Sequence, residues 1–344
     1  MHRLLRRGVP AALALAVAIG AGSAKSARVE EARPMMGTAV EIVAEGESEG
    51  AVRAAIAAAY REMARLTDMM SHYDPRSVVS AINEAAGVRA VPVPPELMEV
   101  LAMARRLSER TGGAFDATVG SLSGWRFRRG EERVPPPAEI AAELANVDYR
   151  GLVLDERART AQLVRRGMRL DLGGIAKLYI VHAGMRVLRR EGVARAMVNG
   201  GGGDLEVVSP PGAPPWRIGV RDPRAPERLL GVLELERGFV ASSADYERAF
   251  VHGGRRYHHI LDPRTGLPSQ GPRGVTLVGT ELAAINGLSV AIMVLGRDEG
   301  VRLIESAPGI EGLVVDRDGS VWMSAGFRAR LKPASQARSG HPAP

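Results

Sequence analysis

Leu170-Asp171-Leu172-Gly173-Gly174-Ile175-Ala176-Lys177 is the stretch from which this chain is best read. A short apolar run ends in a carboxylate, two glycines let the backbone come close to something, and a helical pattern begins with a lysine near its N-terminus. Leu178, Val181, Met185 and Leu188 recur at helical spacing, and Arg189, Arg190 and Gly192 close the pattern. Free N–H groups at a helix start, with a cation beside them, favour a phosphate. Beyond the helix, Ala196-Met197-Val198 reads as a short strand running into Asn199-Gly200-Gly201-Gly202-Gly203-Asp204, so two glycine turns flank one helix. Taken alone, such turns are packing devices before they are ligand cradles. The glycines do not follow G-x-G-x-x-G, which argues against a dinucleotide fold.

Outside this stretch the composition is that of a soluble globular protein, 45% hydrophobic and 25% charged over 344 residues, enough for one large domain or two closely packed ones. The formal charge of +7 falls to +4 once Arg3, Arg6 and Arg7 are set aside, and the remaining arginines are scattered among acids. No nucleic acid is expected. Those three arginines, the apolar run Val9 to Ile19 and the small residues Gly22-Ser23-Ala24 have the form of a signal peptide over residues 1–24. An exported, periplasmic or extracytoplasmic protein with no membrane span after cleavage is expected. The chain has no cysteine, hence no disulfide and no lipidated cysteine.

Taken in order, the folded part is expected to begin at Met36. Val40, Ile42 and Ala44 alternate as a strand, and Val52, Ile56, Ala59, Met63, Leu66 and Met70 form a helical stripe. A polar turn, Ser71-His72-Tyr73-Asp74-Pro75-Arg76-Ser77, leads to a short helix over Ser77 to Asn83. Pro94-Pro95 opens another helix that stops at Thr111-Gly112-Gly113. Asp116 follows in a glycine-bounded turn, where capping is the simplest role for it. Leu152 to Val164 reads as a hairpin, Trp216 to Val220 and Leu230 to Leu235 as strands, and Ala241 to Arg248 as a polar turn between strands. Ala284 to Leu295 reads as one apolar helix, Gly312 to Met323 as a hairpin, and Lys332 to Pro344 as a disordered tail. His258, His259, Asp262 and Arg264 crowd within seven residues, without the spacing of a standard zinc site.

These separate signals join in one order. Met36-Gly37-Thr38, Ser71-x-Tyr73 with Ser77 and Asn83, Gly113 to Gly120, Asp171 to Lys177, Asn199 to Asp204, Ser242-Ser243-x-Asp245-Tyr246 and His259-Ile260-Leu261-Asp262-Pro263-Arg264-Thr265-Gly266 follow one another along the chain. In this the sequence resembles the FAD:protein FMN transferases of the ApbE family, from about Met36 to Phe327. The resemblance implies an α+β fold of mixed and antiparallel sheets layered with helices, over a single domain spanning 25–331. It implies a magnesium-dependent enzyme that splits FAD at its pyrophosphate and joins FMN to a threonine or serine of a partner, with AMP leaving. The partner would be a flavoprotein subunit of an exported electron-transfer system. By family position His259 would be the catalytic base, with His258 the fallback. Met36, Tyr73, Ala114, Phe115, Asp116, Asp171, Lys177 and Ile260 would line the FAD site.

The metal side departs from the family. Gly174 would lend its backbone oxygen to Mg2+, but the family's aspartate and threonine are here Asn286 and Val290, a neutral amide and an alkyl group. Ser289 points about 100° away from position 290 on a helix. Leu178 and His182 stand where the family has a glycine and an aspartate, and Asp204 and Glu281 are the candidate carboxylates for a tertiary fold to bring in. Three readings stay open on the sequence: an active transferase, a flavin-binding member that has lost transfer, and an unrelated α/β protein.

Overall fold

The computed structural model describes residues 27–334; the expected leader over 1–24 and the tail beyond 334 lie outside the described residues. The fold starts earlier than Met36. Strand β1 (Ala27–Met35) pairs with β2 (Thr38–Gly46) across a two-residue turn in which Met36 and Gly37 have φ of 53° and 72°. That mirror-image turn matches the twist of a tight hairpin. Only Val29 of β1 is fully buried, so the strand carries no alternation to read.

Helix α1 (Glu49–Met70) is capped by Ser48 and buries the whole predicted stripe. There follow α2 (Val78–Glu84), capped by Ser77, then β3 (Val91–Pro92), α3 (Pro95–Arg110), α4 (Pro137–Leu144), β4 (Leu152–Asp155) and β5 (Thr160–Leu163). The central helix is α5 (Ala176–Arg190), and β6 (Arg195–Asn199) and β7 (Asp204–Val208) frame the second glycine turn. Next come β8 (Trp216–Asp222), β9 (Ala225–Leu235), β10 (Arg237–Ala244) and the hairpin β11 (Ala249–His252) with β12 (Arg255–His258). The chain continues through β13 (Gly274–Gly279), α6 (Leu282–Ile285), α7 (Leu288–Leu295), α8 (Arg297–Ser306) and β14 (Glu311–Val315). It closes with β15 (Val321–Met323), α9 (Ala325–Arg330) and β16 (Leu331–Lys332).

The frame is an eight-stranded sheet in the order β1-β2-β6-β7-β10-β13-β14-β15, antiparallel at every pairing. Successive side chains of a strand face opposite sides. On β2, Val40, Ile42 and Ala44 join the core under α1, α5 and α7, while Val43 joins a second core with Trp216, Leu233 and Phe327. The three-stranded sheet β16-β9-β8 and α9 cover that second face. The protein is therefore an α+β sandwich of helices, large sheet and small sheet, as the resemblance implied. Among the described residues no helix is long and apolar enough to cross a membrane.

Three local expectations change. Ala241 to Ala244 are paired residues of β10 and not a turn, because their neighbours on β7 and β13 complete the ladder; only Asp245 to Arg248 turn. Lys332 pairs with Val232 and so belongs to the fold. The apolar helix breaks in two: Asn286 is extended (ψ 122°) and Gly287 is left-handed (φ 76°). A Cβ on Gly287 would lie 2.7 Å from Leu107, so the backbone at the break fits against α3 only without a side chain.

Candidate active site at two glycine turns

The 170–177 stretch is held in place from both sides. Asn83 grips the Leu170 backbone, its Oδ1 accepting from Leu170 N at 2.6 Å and its Nδ2 donating to Leu170 O at 3.1 Å. Asp171 N donates to Ala117 O at 2.8 Å. This leaves Gly173 and Gly174 exposed at the start of α5, whose N-terminus no side chain caps. Lys177 lies in its first turn, and its alkyl chain abuts the second glycine turn: a Cβ on Gly200 would sit 3.4 Å from Lys177 Cγ. Gly201 packs against Thr38, so the Met36-Gly37-Thr38 turn joins the same place.

Asp171 points into this crevice. Its Oδ1 accepts from Gly173 N at 2.7 Å and lies 3.3 Å from His72 Nδ1. Burial pushes its pKa up, but His72, the Gly173 N–H and Arg248 outweigh that and hold it below the ordinary carboxylate value. Tyr73 is 78% exposed, with its ring 3.8 Å from that of His72 and the Arg248 charge acting on its hydroxyl. Asp204, half-buried, has a pKa pushed up by burial to about 6, with Lys177 pulling the other way.

The two histidines share a buried Nδ1 without a partner and differ in what holds their rings. His258 is 4% exposed and its Nε2 lies 3.1 Å from the Ser269 carbonyl, which can only accept, so Nε2 carries the proton. Burial also lowers its pKa. His259 is fixed through its backbone, N to Arg248 O at 3.0 Å, while its Nδ1 is buried without a partner. Burial, with Arg248, His258 and Lys177 adding to it, lowers its pKa to about 4, so the ring is neutral at physiological pH. Asp262 is bound by Arg264 at 2.9 Å through both carboxylate oxygens, which makes the rest of that dense cluster a self-locked turn.

Of the other predicted residues, half-buried Met36 and buried Ala114, Phe115 and Ile260 pack into the main core at this site. Phe115 reaches both glycine positions, its ring 3.2 Å from a Cβ placed on Gly174 and 3.3 Å from one on Gly287. Asp116 is held by its own turn. Its Oδ1 accepts from Thr118 N and Oγ1, both at 2.7 Å, and its Oδ2 from Tyr149 N at 2.8 Å, so the carboxylate is spent on the turn. Leu178 is buried in the main core, and His182 pairs with Glu206 at 2.9 Å. The sequence reading missed Arg248 and His72. Both stand inside quoted motifs, but only the fold sets Arg248 beside Tyr73, Asp171 and His259.

The divalent-cation position holds few suitable donors. Gly174, Asn286 and Val290 do converge: the Gly174 carbonyl is 3.4 Å from a Cβ on Gly287, and Val290 Cγ2 is 3.4 Å from one on Gly174. But Val290 brings methyls, Ser289 is turned to Ser243 (2.9 Å) and Asn286 keeps its Nδ2 buried and unpartnered. Glu281 is exposed, and among the described residues no three His, Cys, Asp or Glu side chains are grouped to hold a metal. A hard cation needs several oxygens, carboxylates foremost. Gly174 and Asn286 therefore do not fit the magnesium site that the resemblance implied, because the charged ligand is absent.

A helix start with no side-chain cap, exposed glycines, a lysine and neighbouring imidazoles with unpartnered Nδ1 atoms define a site suited to a phosphorylated ligand. The chain belongs to the ApbE family, whose profile matches residues 36–314. It is 31% identical over 78% of its length to an FAD:protein FMN transferase of Klebsiella pneumoniae, covering 84% of that protein. It is 30% identical over 74% of its length to one of Treponema pallidum, covering 75% of it. The crystal structure of the ApbE protein from Thermotoga maritima superposes with a TM-score of 0.81 at 33% identity, over 89% of this chain and all of that one. The flavin transferase ApbE from Vibrio cholerae gives 0.75 at 27%, over the same shares.

Proposed function

We propose that this chain is an FAD:protein FMN transferase that moves FMN from FAD to a threonine or serine hydroxyl of a partner flavoprotein and releases AMP. The observation that carries the reading is His259, a neutral imidazole whose buried Nδ1 has no partner, within electrostatic reach of Arg248, Lys177 and Asp171. Kinship with proteins named for this reaction supplies the substrate.

The exposed Tyr73 ring offers a face for the isoalloxazine, and the exposed Gly173-Gly174 turn with Lys177 and Arg248 offers a positive place for the phosphates. The acceptor hydroxyl oxygen forms a bond to the FMN phosphorus while the bond from that phosphorus to the bridging oxygen breaks, and AMP leaves. His259 takes the hydroxyl proton. Its low pKa in the free protein comes partly from Arg248 and Lys177; phosphates that neutralise those charges raise it toward the useful range. No step is routed through a metal. The reading also places the protein outside the cytoplasm, acting on a subunit of an exported electron-transfer system, on the strength of the residue 1–24 pattern.

Incubation of the purified protein with FAD and an acceptor flavoprotein carrying an exposed threonine tests this. The acceptor gains the mass of an FMN phosphoester and AMP appears in equal amount. FAD bound with the acceptor mass unchanged would instead make this a flavin-binding member without transfer.

A further inference from the structure

Asn286 is 3% exposed, yet its Nδ2 has no hydrogen-bond partner. It occupies the break between α6 and α7, beside Gly287, whose missing Cβ would lie 3.3 Å from the Phe115 ring and 3.4 Å from the Gly174 oxygen. The amide thus stands at the first glycine turn with an unused N–H. Buried donors are nearly always paired, so one left open at a ligand site is a group held for the ligand.

The chemistry of the position decides which ligand atom it suits. A carboxylate here would repel a phosphate unless a cation stood between them; an amide N–H can bond the phosphate oxygen directly. The surroundings match the second case. Val290 brings methyls to Gly174, which offer a cation no oxygen. Positive charge comes instead from side chains: Arg110 Nη2 donates to Ala284 O at 3.4 Å, two residues before Asn286, and Lys177 follows Gly174 by three.

We infer that Asn286 Nδ2 is a direct hydrogen-bond donor to a pyrophosphate oxygen of FAD, and that this chain holds FAD with N–H groups and side-chain cations and without a divalent ion. The inference rests on the FAD reading of the site.

FAD binding, followed by quenching of flavin fluorescence in EDTA and in Mg2+, tests it on the intact protein. The native dissociation constant is expected to agree within about threefold in the two conditions, while Asn286→Asp loses about tenfold or more in EDTA and regains it with Mg2+. Native binding that weakens about tenfold in EDTA would overturn the inference and leave the transferase reading standing. So would Asn286→Asp binding equally well in EDTA. Should Asn286→Asp fail to fold, as its melting curve without FAD would show, the native comparison still decides. No FAD binding by the native protein in either condition would overturn the site reading and this inference with it.

Discussion

His258 donates its Nε2–H to the carbonyl oxygen of Ser269 at 3.1 Å, which ties its ring to the backbone, while His258 and its neighbour His259 both keep a buried Nδ1 without a partner. Two adjacent histidines thereby have different predicted phenotypes. His259→Ala is expected to lower FMN transfer by about 10²- to 10⁴-fold, the usual worth of a positioned base, with FAD binding and melting temperature kept. His258→Ala removes one of two donors to the Ser269 carbonyl, Arg317 Nη2 remaining at 3.2 Å, and opens a gap, and should cost about 1 kcal/mol in urea denaturation. Acceptor mass and denaturation curves read the two effects separately.

The pH dependence of stability follows from His259. As pH falls through the ordinary 6.5, an unfolded His259 takes a proton, while the folded one waits until about 4. In that window the unfolded state binds more protons, so the His259 contribution is intact above 6.5 and lost as pH falls toward 4. Asp204 acts in the opposite direction: its folded pKa of about 6 stands above the ordinary 3.8, so protonation favours the fold between those values. A native curve mixes the two. The stability of native protein relative to His259→Asn should therefore fall between pH 7 and pH 5, measured by urea titration at both; a constant difference would refute the assignment.

Asp116 should behave as a structural residue. Its three accepted hydrogen bonds tie Thr118 and Tyr149 to one buried turn, and Ala117 of that turn accepts from Asp171 N. Asp116→Ala leaves those donors unpaired and is expected to destabilise by about 3 kcal/mol. The folded fraction should retain FAD affinity to within a few-fold, as flavin fluorescence would show.

Arg248 should matter twice. Its charge acts on Tyr73, Asp171 and His259, and its backbone oxygen anchors His259. Arg248→Gln removes the charge and keeps the backbone bond. FAD affinity should fall by about tenfold, in line with a charge-assisted contact to phosphate. The His259 pKa, followed by imidazole proton shifts, should rise in the variant.

What the sequence by itself determined is the part governed by neighbours along the chain. The α1 stripe, the alternation of Val40, Ile42 and Ala44, the α5 pattern after Lys177 and the order of the polar motifs are all periodic or local, and the structure keeps them. The tertiary structure decided whatever depends on contacts between distant segments. Strand β1 gained its place from pairing with β2, since its own residues show no alternation. An apolar run continuous with a helix was split at Asn286-Gly287, where Leu107 and Phe115 leave no room for a side chain. The roles of Asp116, His258 and Asn286 were set in the same way, by which donors and acceptors the fold brought to each or withheld. A residue's type announces what bonds it can make, and only the packing of remote segments fixes which of them are made.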